Sequence, residues 1–365
     1  MSRIALSFAL LTVIGLLFSC SGRGKKTAEY ITFDASTLRN VTRITDDGMR
    51  KGKLSVSKDG SKILYSESKL ITGKRFQKDY TIMMIRNLNS TAKTTLVTDP
   101  SYGPAWFENG SEYLYSAIEQ GKTKIVKSNI AGGGKTYITR NPVGEWDSDP
   151  TIKGNTILFS TLMETRTGKK WHLVSMNDKG GEVTILGEGM DPSWHPYKNK
   201  FVFAKNDGGI YEMDIQDNQI TQLFSIPKDD KRLSKERCIN PSYSQDGNWI
   251  LFAKGANENI FYETSSTDIL SGGGNWPERR WHLFAMKEDG SDFSQLTSGN
   301  VDVFHPTWGV GNEIFFVSNV AGKEEIWRAS LAMVRPASAP LPVAPVAPPA
   351  PAPYVAPVKK DEGLL

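Results

Sequence analysis

One motif returns six times along this chain and limits what it can fold into. Its clearest copies are Pro104-Ala-Trp106-Phe-Glu-Asn-Gly110, Pro192-Ser-Trp194-His-Pro196, Pro241-Ser-Tyr243-Ser-Gln-Asp-Gly247 and Pro306-Thr-Trp308. Leu54-Ser-Val56-Ser-Lys-Asp-Gly60 and Pro150-Thr-Ile152-Lys-Gly154 are weaker copies. Behind each comes a short apolar run, as in Lys62-Ile-Leu-Tyr65, Thr156-Ile-Leu-Phe159 and Trp249-Ile-Leu-Phe252. A third apolar run follows, as in Ile210-Tyr-Glu-Met-Asp214, and a fourth ends in Ile or Leu plus Thr, as in Tyr137-Ile-Thr139 and Gln295-Leu-Thr297. Trp171-His-Leu-Val-Ser-Met176 and Trp281-His-Leu-Phe-Ala-Met286 match position for position.

At the Trp-like position the steps are 50, 46, 42, 49 and 65 residues. Periods of about 40–50 residues with four short strands each mark the blades of a propeller. The predicted fold is therefore all-β: a six-bladed β-propeller of four-stranded antiparallel blades. The turn pairs Asp59-Gly60, Asp246-Gly247 and Asp289-Gly290 supply the positive φ that tight connections need. The aromatic residue of the motif is expected to fill the wedge between neighbouring blades. The last repeat stops after its third strand near Leu331, while Asn40 to Thr45 reads as an isolated fourth strand. Pairing the two would close the ring and hide both unpaired edges.

The pattern Pro-Ser-Trp-x-Pro, an apolar strand, Ile-Tyr-x-Met-Asp and Leu-Thr resembles the propellers of the TolB family, periplasmic components of an envelope system. Pro192 to Asp214 and Pro241 to Lys254 carry the likeness, which extends over nearly the whole repeat region. It implies a periplasmic location and protein binding at the mouth of the central channel. TolB itself carries an α/β domain before its propeller and is not lipidated, so its particular partner does not transfer. Related repeats also serve in enzymes, so the fold alone does not set the function.

The two ends differ from the repeats. Arg3 precedes an apolar run from Ile4 to Phe18, which at 15 residues is short of the roughly 20 that a spanning helix needs. It fits the core of a secretory signal. Leu17-Phe-Ser-Cys20 resembles the lipobox of bacterial lipoproteins, whose cysteine is acylated and becomes the first mature residue. Residues 1–19 are thus expected to be a lipoprotein signal peptide and 20–38 a lipidated linker, with the propeller over 39–332. Acyl chains on Cys20 would hold the protein at a membrane, since stable anchoring takes more than one chain. Ser21, rather than aspartate, favours the outer membrane by the same resemblance. Nine of the 19 prolines fall between Pro336 and Pro357. Residues 333–365 are therefore read as an extended Pro/Ala-rich tail whose 22-residue proline run reaches roughly 70 Å.

Cys238 is left without a partner and reads as a small buried hydrophobe. The chain carries a formal charge of +4, or +3 once Arg3 leaves with the signal. That balance points to no nucleic acid and no anionic membrane surface. Gly132-Gly-Gly-Lys135-Thr136 lacks the earlier glycine of a phosphate loop, Asn129 standing in its place, and reads as a hairpin turn. Trp146-Asp147 is placed in a loop. His172 and His282 sit at equivalent strand positions, His195 follows the packing Trp194, and His305 is placed in an inter-blade loop. No metal site, cofactor or catalytic constellation is expected.

One face remains for function. The loops that lead into first strands place Gly103, Asp149, Asp191, Asn240 and His305 directly before a proline, ringing the channel mouth. Arg50 and Lys51 are assigned to the corresponding loop of blade one. Insertions Ser68–Lys78 and Gly255–Arg280 rise from the same face, beside the loop Phe224–Arg237 with its five basic residues. Long loops in a repeat protein tend to carry function. The expected function is a non-enzymatic scaffold of the cell envelope that recruits envelope protein through this face. Two alternatives stay open. A glycan- or peptidoglycan-binding module would use Tyr262 and Trp276, and a propeller lyase or hydrolase would need clustered acids and histidines.

Overall fold

Short runs rich in β-branched and aromatic residues, punctuated by Gly and Asn, favour strands over helices. The structure, a computed structural model, describes residues 37–72, 77–227, 236–256, 281–299 and 301–332. Among these residues it contains 24 strands and no helix. The signal segment, Cys20, the loop residues 257–280 with Tyr262 and Trp276, and the proline tail lie outside them.

Strand β1 (Leu38–Arg43) comes first and belongs to the last sheet. Sheet one holds β2 (Lys51–Val56), β3 (Lys62–Thr72), β4 (Gln77–Asn87) and β5 (Lys93–Val97). Sheet two holds β6 (Ser101–Trp106), β7 (Glu112–Glu119), β8 (Lys122–Asn129) and β9 (Thr136–Tyr137). Sheet three holds β10 (Trp146–Lys153), β11 (Thr156–Thr165), β12 (Gly168–Asn177) and β13 (Thr184–Glu188). One parallel contact, Trp146 beside Thr123, joins it to sheet two. Sheet four holds β14 (Met190–Trp194), β15 (Lys200–Ala204), β16 (Ile210–Asp214) and β17 (Ile220–Phe224). Sheet five holds β18 (Glu236–Tyr243), β19 (Trp249–Ala256), β20 (Trp281–Lys287) and β21 (Ser294–Gln295). Sheet six holds β22 (Val303–Trp308), β23 (Glu313–Ser318), β24 (Glu325–Leu331) and β1. Within each sheet consecutive strands are antiparallel, as expected for a blade. The first strands touch in cyclic order, from β2 through β6, β10, β14, β18 and β22 back to β2.

The core lies in the wedges between neighbouring sheets. Leu64, Met83, Tyr113 and Tyr115 fill the wedge between sheets one and two, and Leu114, Ile157 and Phe159 the next. Leu158, Phe201 and Phe203 join sheets three and four, and Val202, Ile250 and Phe252 join four and five. Ile63, Tyr65, Leu251, Phe315 and Phe316 close the set across sheets five, six and one. Burying each such side chain contributes about 1.5–3 kcal/mol. The motif tryptophans do more than fill space. The Trp106 indole N–H donates to the Ser55 carbonyl at 3.0 Å, and the Trp308 N–H to that of Ser242 at 3.0 Å. Ser55 and Ser242 are both the middle residues of their motifs, so one sheet is pinned to the previous one in the same way twice.

The N-terminal strand docks as expected. Leu38 lies opposite Leu331 and Thr42 opposite Arg328. Just beyond β1, the Thr45 hydroxyl donates to Glu325 Oε2 at 2.5 Å and the Gly48 N–H to Glu325 Oε1 at 2.7 Å. Lys51, its side chain wholly buried, bonds Asp47 and lies 3.4 Å from Glu67 and 4.0 Å from Glu325. Lys93 adds contacts to Asp47 at 2.7 Å and to Glu67 at 3.2 Å. Three carboxylates and two ammonium groups thus share the seam where the start of the chain meets its last strand.

Three sequence expectations need correction. Ser68 to Lys78 is largely not a loop: β3 and β4 run on as a ladder to the pair Thr72 and Gln77. Ser68, Lys69 and the Thr72-Gly-Lys-Arg75 run around Leu70-Ile71 disguised the strand. Trp146 and Asp147 do not lie in a loop either; they open β10. Lys51 begins β2 rather than lying in a loop. At the Asp-Gly turns only the glycine has positive φ, and the Gly60 N–H donates to the Ser57 carbonyl at 2.8 Å. The Asp59 carboxylate accepts the Ser61 N–H at 3.0 Å, so aspartate caps the turn that glycine bends.

Candidate functional site

Each inner strand carries an irregularity at one place. The ladders between first and second strands shift register between Tyr102 and Ala105, Ser148 and Thr151, Met190 and Ser193, Ile239 and Ser242, and Phe304 and Thr307. The first residue in each gap has positive φ: Gly103 at 62°, Asp149 at 53°, Asp191 at 53°, Asn240 at 47° and His305 at 49°. The second is proline, which lacks the N–H that an unbroken ladder would use. Aspartate and asparagine tolerate this left-handed backbone better than most residues, and histidine is also enriched there. The bulge therefore selects the residue types found. In sheet one, Lys53 stands before Leu54 at the corresponding place, and the ladder shifts between Lys51 and Leu54.

Five of these side chains hold one another. Lys53 Nζ lies 3.2 Å from Asp149 Oδ1, an ion pair from sheet one to sheet three. It passes the position of Gly103, where an added Cβ would sit 3.1 Å from the same oxygen. On the other side, the Asn240 backbone N–H donates to Asp191 Oδ2 at 3.0 Å, and His305 Nδ1 lies 2.9 Å from Asn240 Oδ1. The amide oxygen only accepts, so His305 Nδ1 carries the proton and Nε2 is left as the acceptor. The Asp191 N–H is held by Ser160 Oγ at 3.0 Å.

Burial dominates the electrostatics. It pushes the Asp191 carboxyl up to about 6, helped by the negative charge of Asp149 and opposed by Lys53. It also pushes His305 down to about 4, against the attraction of Asp149, so the imidazole is neutral at physiological pH. Asp191 is 5% exposed, whereas Lys53 and Asp149 keep about a fifth of their side-chain surface in contact with solvent.

The residues expected at the channel mouth separate into two groups. Gly103, Asp149, Asp191, Asn240 and His305 do share one structural position, but within the inner strands, so His305 lies in β22 and not in a loop. Arg50 does not share it. Its backbone bonds Ser68 just before β2, and Lys53 takes the equivalent place. Sequence reasoning missed Lys53 because sheet one has Leu54 where the other motifs have proline. It also missed Asp147, whose buried carboxylate accepts the Val143 N–H at 3.0 Å and the Thr161 hydroxyl at 2.7 Å. That residue ties a loop to β11. Cys238 is a free, buried thiol whose pKa burial raises. His195 Nδ1 accepts two backbone N–H groups of its own turn, from Tyr197 and Lys198. Among the described residues no three His, Cys, Asp or Glu side chains are placed to hold a metal ion.

No family model matches the chain, and no curated protein matches it. Solved structures do. A TolB-type protein from Agrobacterium tumefaciens superposes with a TM-score of 0.51 at 14% identity, over 80% of this chain and 97% of that one. A gluconolactonase from Xanthomonas campestris gives 0.51 at 11% identity, over 83% and 94%. A luciferin-regenerating enzyme gives 0.52 at 10% identity, over 81% and 96%. At such identities the likeness shows the fold alone: this chain is a β-propeller of TolB-like build. The TolB-type protein, the gluconolactonase and the luciferin-regenerating enzyme superpose on it equally well.

Proposed function

We propose that this chain is a six-bladed, closed propeller of the bacterial cell envelope, tethered through acylated Cys20, that binds a protein partner without transforming it. The observation that carries the reading is the arrangement of the inner ring. Its polar residues contact one another, in the pairs Lys53–Asp149, Asn240–Asp191 and His305–Asn240. A hydrolase or lyase would instead converge its acid, base and nucleophile on a vacant point where a substrate atom sits. A polar, partly exposed surface suits recognition. The lipobox-like Leu17-Phe-Ser-Cys20 supports the tether, and Ser21 in place of aspartate supports outer-membrane placement.

Two measurements test this. Detergent phase partition should send the wild-type protein to the detergent phase and a Cys20→Ser variant to the aqueous phase; equal partition would remove the anchor. Affinity capture from detergent-solubilised envelope should retain one protein in stoichiometric amount, and Lys53→Met/Asp149→Asn should change its yield several-fold. Retention on purified peptidoglycan with no protein partner would replace the scaffold by the glycan-binding reading.

A further inference from the structure

The chain enters and leaves the propeller at one end of its sheets. β1 starts at Leu38, opposite Leu331 of β24, and the Ala332 N–H donates to the Thr37 carbonyl at 2.7 Å. The Leu331 N–H donates to the Asn312 carbonyl, and Asn312 Nδ2 donates to the Leu331 carbonyl at 2.9 Å. Asn312 belongs to the turn between β22 and β23, so the exit lies where first strands turn into second strands. The corresponding turns of other sheets meet at this same end. Lys58 lies 3.9 Å from Glu108, Lys153 Nζ donates to the His195 carbonyl at 3.0 Å, and Gln245 Nε2 donates to the Lys58 carbonyl at 3.4 Å. The loops that lead into the first strands, and the channel mouth with them, lie at the opposite end.

Exposed apolar side chains gather at the turn end. Among the described residues five large hydrophobic side chains are exposed: Val183, Ile185, Tyr197, Ile220 and Val310. Tyr197, 73% exposed, and Val310 stand in the first turns of sheets four and six. Ile220 opens β17 opposite Met213, which in turn lies opposite Phe201 near the start of β15. Val183 follows directly on the turn in which the Asn177 N–H donates to the Gly181 carbonyl, and Ile185 lies two residues further along β13. Exposed charges at this end pair with opposite signs, Lys58 with Glu108 and Lys198 with Glu288. The end is apolar and balanced in charge rather than basic.

We infer that the turn end of the propeller rests on the lipid surface to which Cys20 ties the chain, so that the channel mouth points away from the membrane. The inference rests on the anchor proposed above and adds how the propeller stands on it. From Cys20 to Thr37 the chain takes 17 steps. A coil of that length spans roughly 23 Å on average. Strand β11, with 10 residues, gives the propeller a height of about 33 Å. Bringing the mouth to the membrane would take the linker around that height, whereas the turn end lies within its average reach. A few apolar side chains bind a bilayer weakly by themselves. The anchor holds them at an effective concentration in the range of about millimolar, where weak contacts suffice to orient a domain.

The test places the acylated full chain on phosphatidylcholine vesicles with a fluorophore on one introduced cysteine, buried Cys238 being left in place. Lys58→Cys puts the label at the turn end, and Lys122→Cys puts it in the β7–β8 hairpin at the mouth end. A headgroup spin-labelled lipid should quench the label at residue 58 at least threefold more than the label at 122. Ile220→Ser/Val310→Ser, at two exposed positions that leave the core untouched, should reduce that contrast at least twofold. Equal quenching at the two sites, stronger quenching at 122, or a contrast indifferent to the serine substitutions would overturn the inference. Loss of the contrast on removing residues 333–365 would assign the contact to the proline tail and overturn it too. So would a dimer of the Cys20→Ser protein that the serine substitutions dissociate, since the patch would then belong to a second copy. Failure of the anchor itself is read separately, from phase partition: a protein that stays on the detergent side yet shows no contrast keeps its tether and loses only this orientation.

Discussion

Asp191 shows what a single position in this ring costs the fold. An aspartate whose folded pKa is raised holds its proton to higher pH in the folded state than in the unfolded one. Its contribution to stability is therefore full below pH 4 and is lost as the pH rises through about 6. His305 works the other way, its contribution being lost as the pH falls from 6.5 toward about 4. The difference between wild type and variant isolates Asp191. Asp191→Asn keeps an oxygen for the Asn240 N–H and removes the buried charge, so its melting temperature at pH 7.5 should lie several degrees above wild type. The gap should vanish by pH 4. Identical melting curves at pH 7.5 would mean that the carboxylate is well solvated and the charge argument misplaced. The position was legible in the sequence because a proline follows it. Its burial and its tie to Asn240 were not, because they depend on a strand 49 residues away.

At the scale of the strand, the recurring Ile/Leu-Thr ending has a mechanical explanation. The Ile138 N–H donates to the Ile125 carbonyl, and Thr139 Oγ1 turns back to accept the Ile125 N–H at 2.8 Å. Leu296 and Thr297 treat Leu283 in the same way, with the hydroxyl at 2.9 Å from its N–H. Ile44 and Thr45, following β1, repeat the clip on Ile326 at 2.9 Å. A fourth strand contributed from the other end of the chain thus ends like fourth strands contributed locally. That is why Asn40 to Thr45 could be read as one before any partner was in view. Thr139→Val and Thr297→Val preserve shape but leave a buried third-strand N–H without its acceptor, and each should cost about 1–3 kcal/mol in urea unfolding. Losses under about 0.5 kcal/mol would show that water replaces the hydroxyl. Elements marked by Gly, Pro and aromatic residues were readable in this way. The long β3–β4 ladder was not, because the run from Ser68 to Lys78 carries Gly, Lys and Arg that read as loop, and β10 begins four residues before its proline motif.

For the whole molecule the critical contact joins residues nearly 300 positions apart. Nothing in the local sequence marks Asp47, Lys51, Glu67 and Glu325 as one cluster, since each is an ordinary charged residue until the seam brings them together. The cluster supports β1 by charge as well as by the ladder, and β1 otherwise buries little besides Leu38. If the seam limits unfolding, fixing it covalently should stabilise every sheet and not sheet six alone. Arg39 and Ser330 face each other across the β1–β24 ladder, where Cα atoms of an antiparallel pair lie about 4.5–5.5 Å apart. That spacing suits a disulfide. With Cys20 replaced by serine, the oxidised Arg39→Cys/Ser330→Cys protein should gain at least about 2 kcal/mol over its reduced form, because the closed loop spans almost the entire propeller. Hydrogen exchange should slow in sheets two to four as much as in sheet six. Protection confined to β1, β24 and their neighbours would mean that the sheets unfold independently and that the N-terminal strand guards an edge without governing the ring.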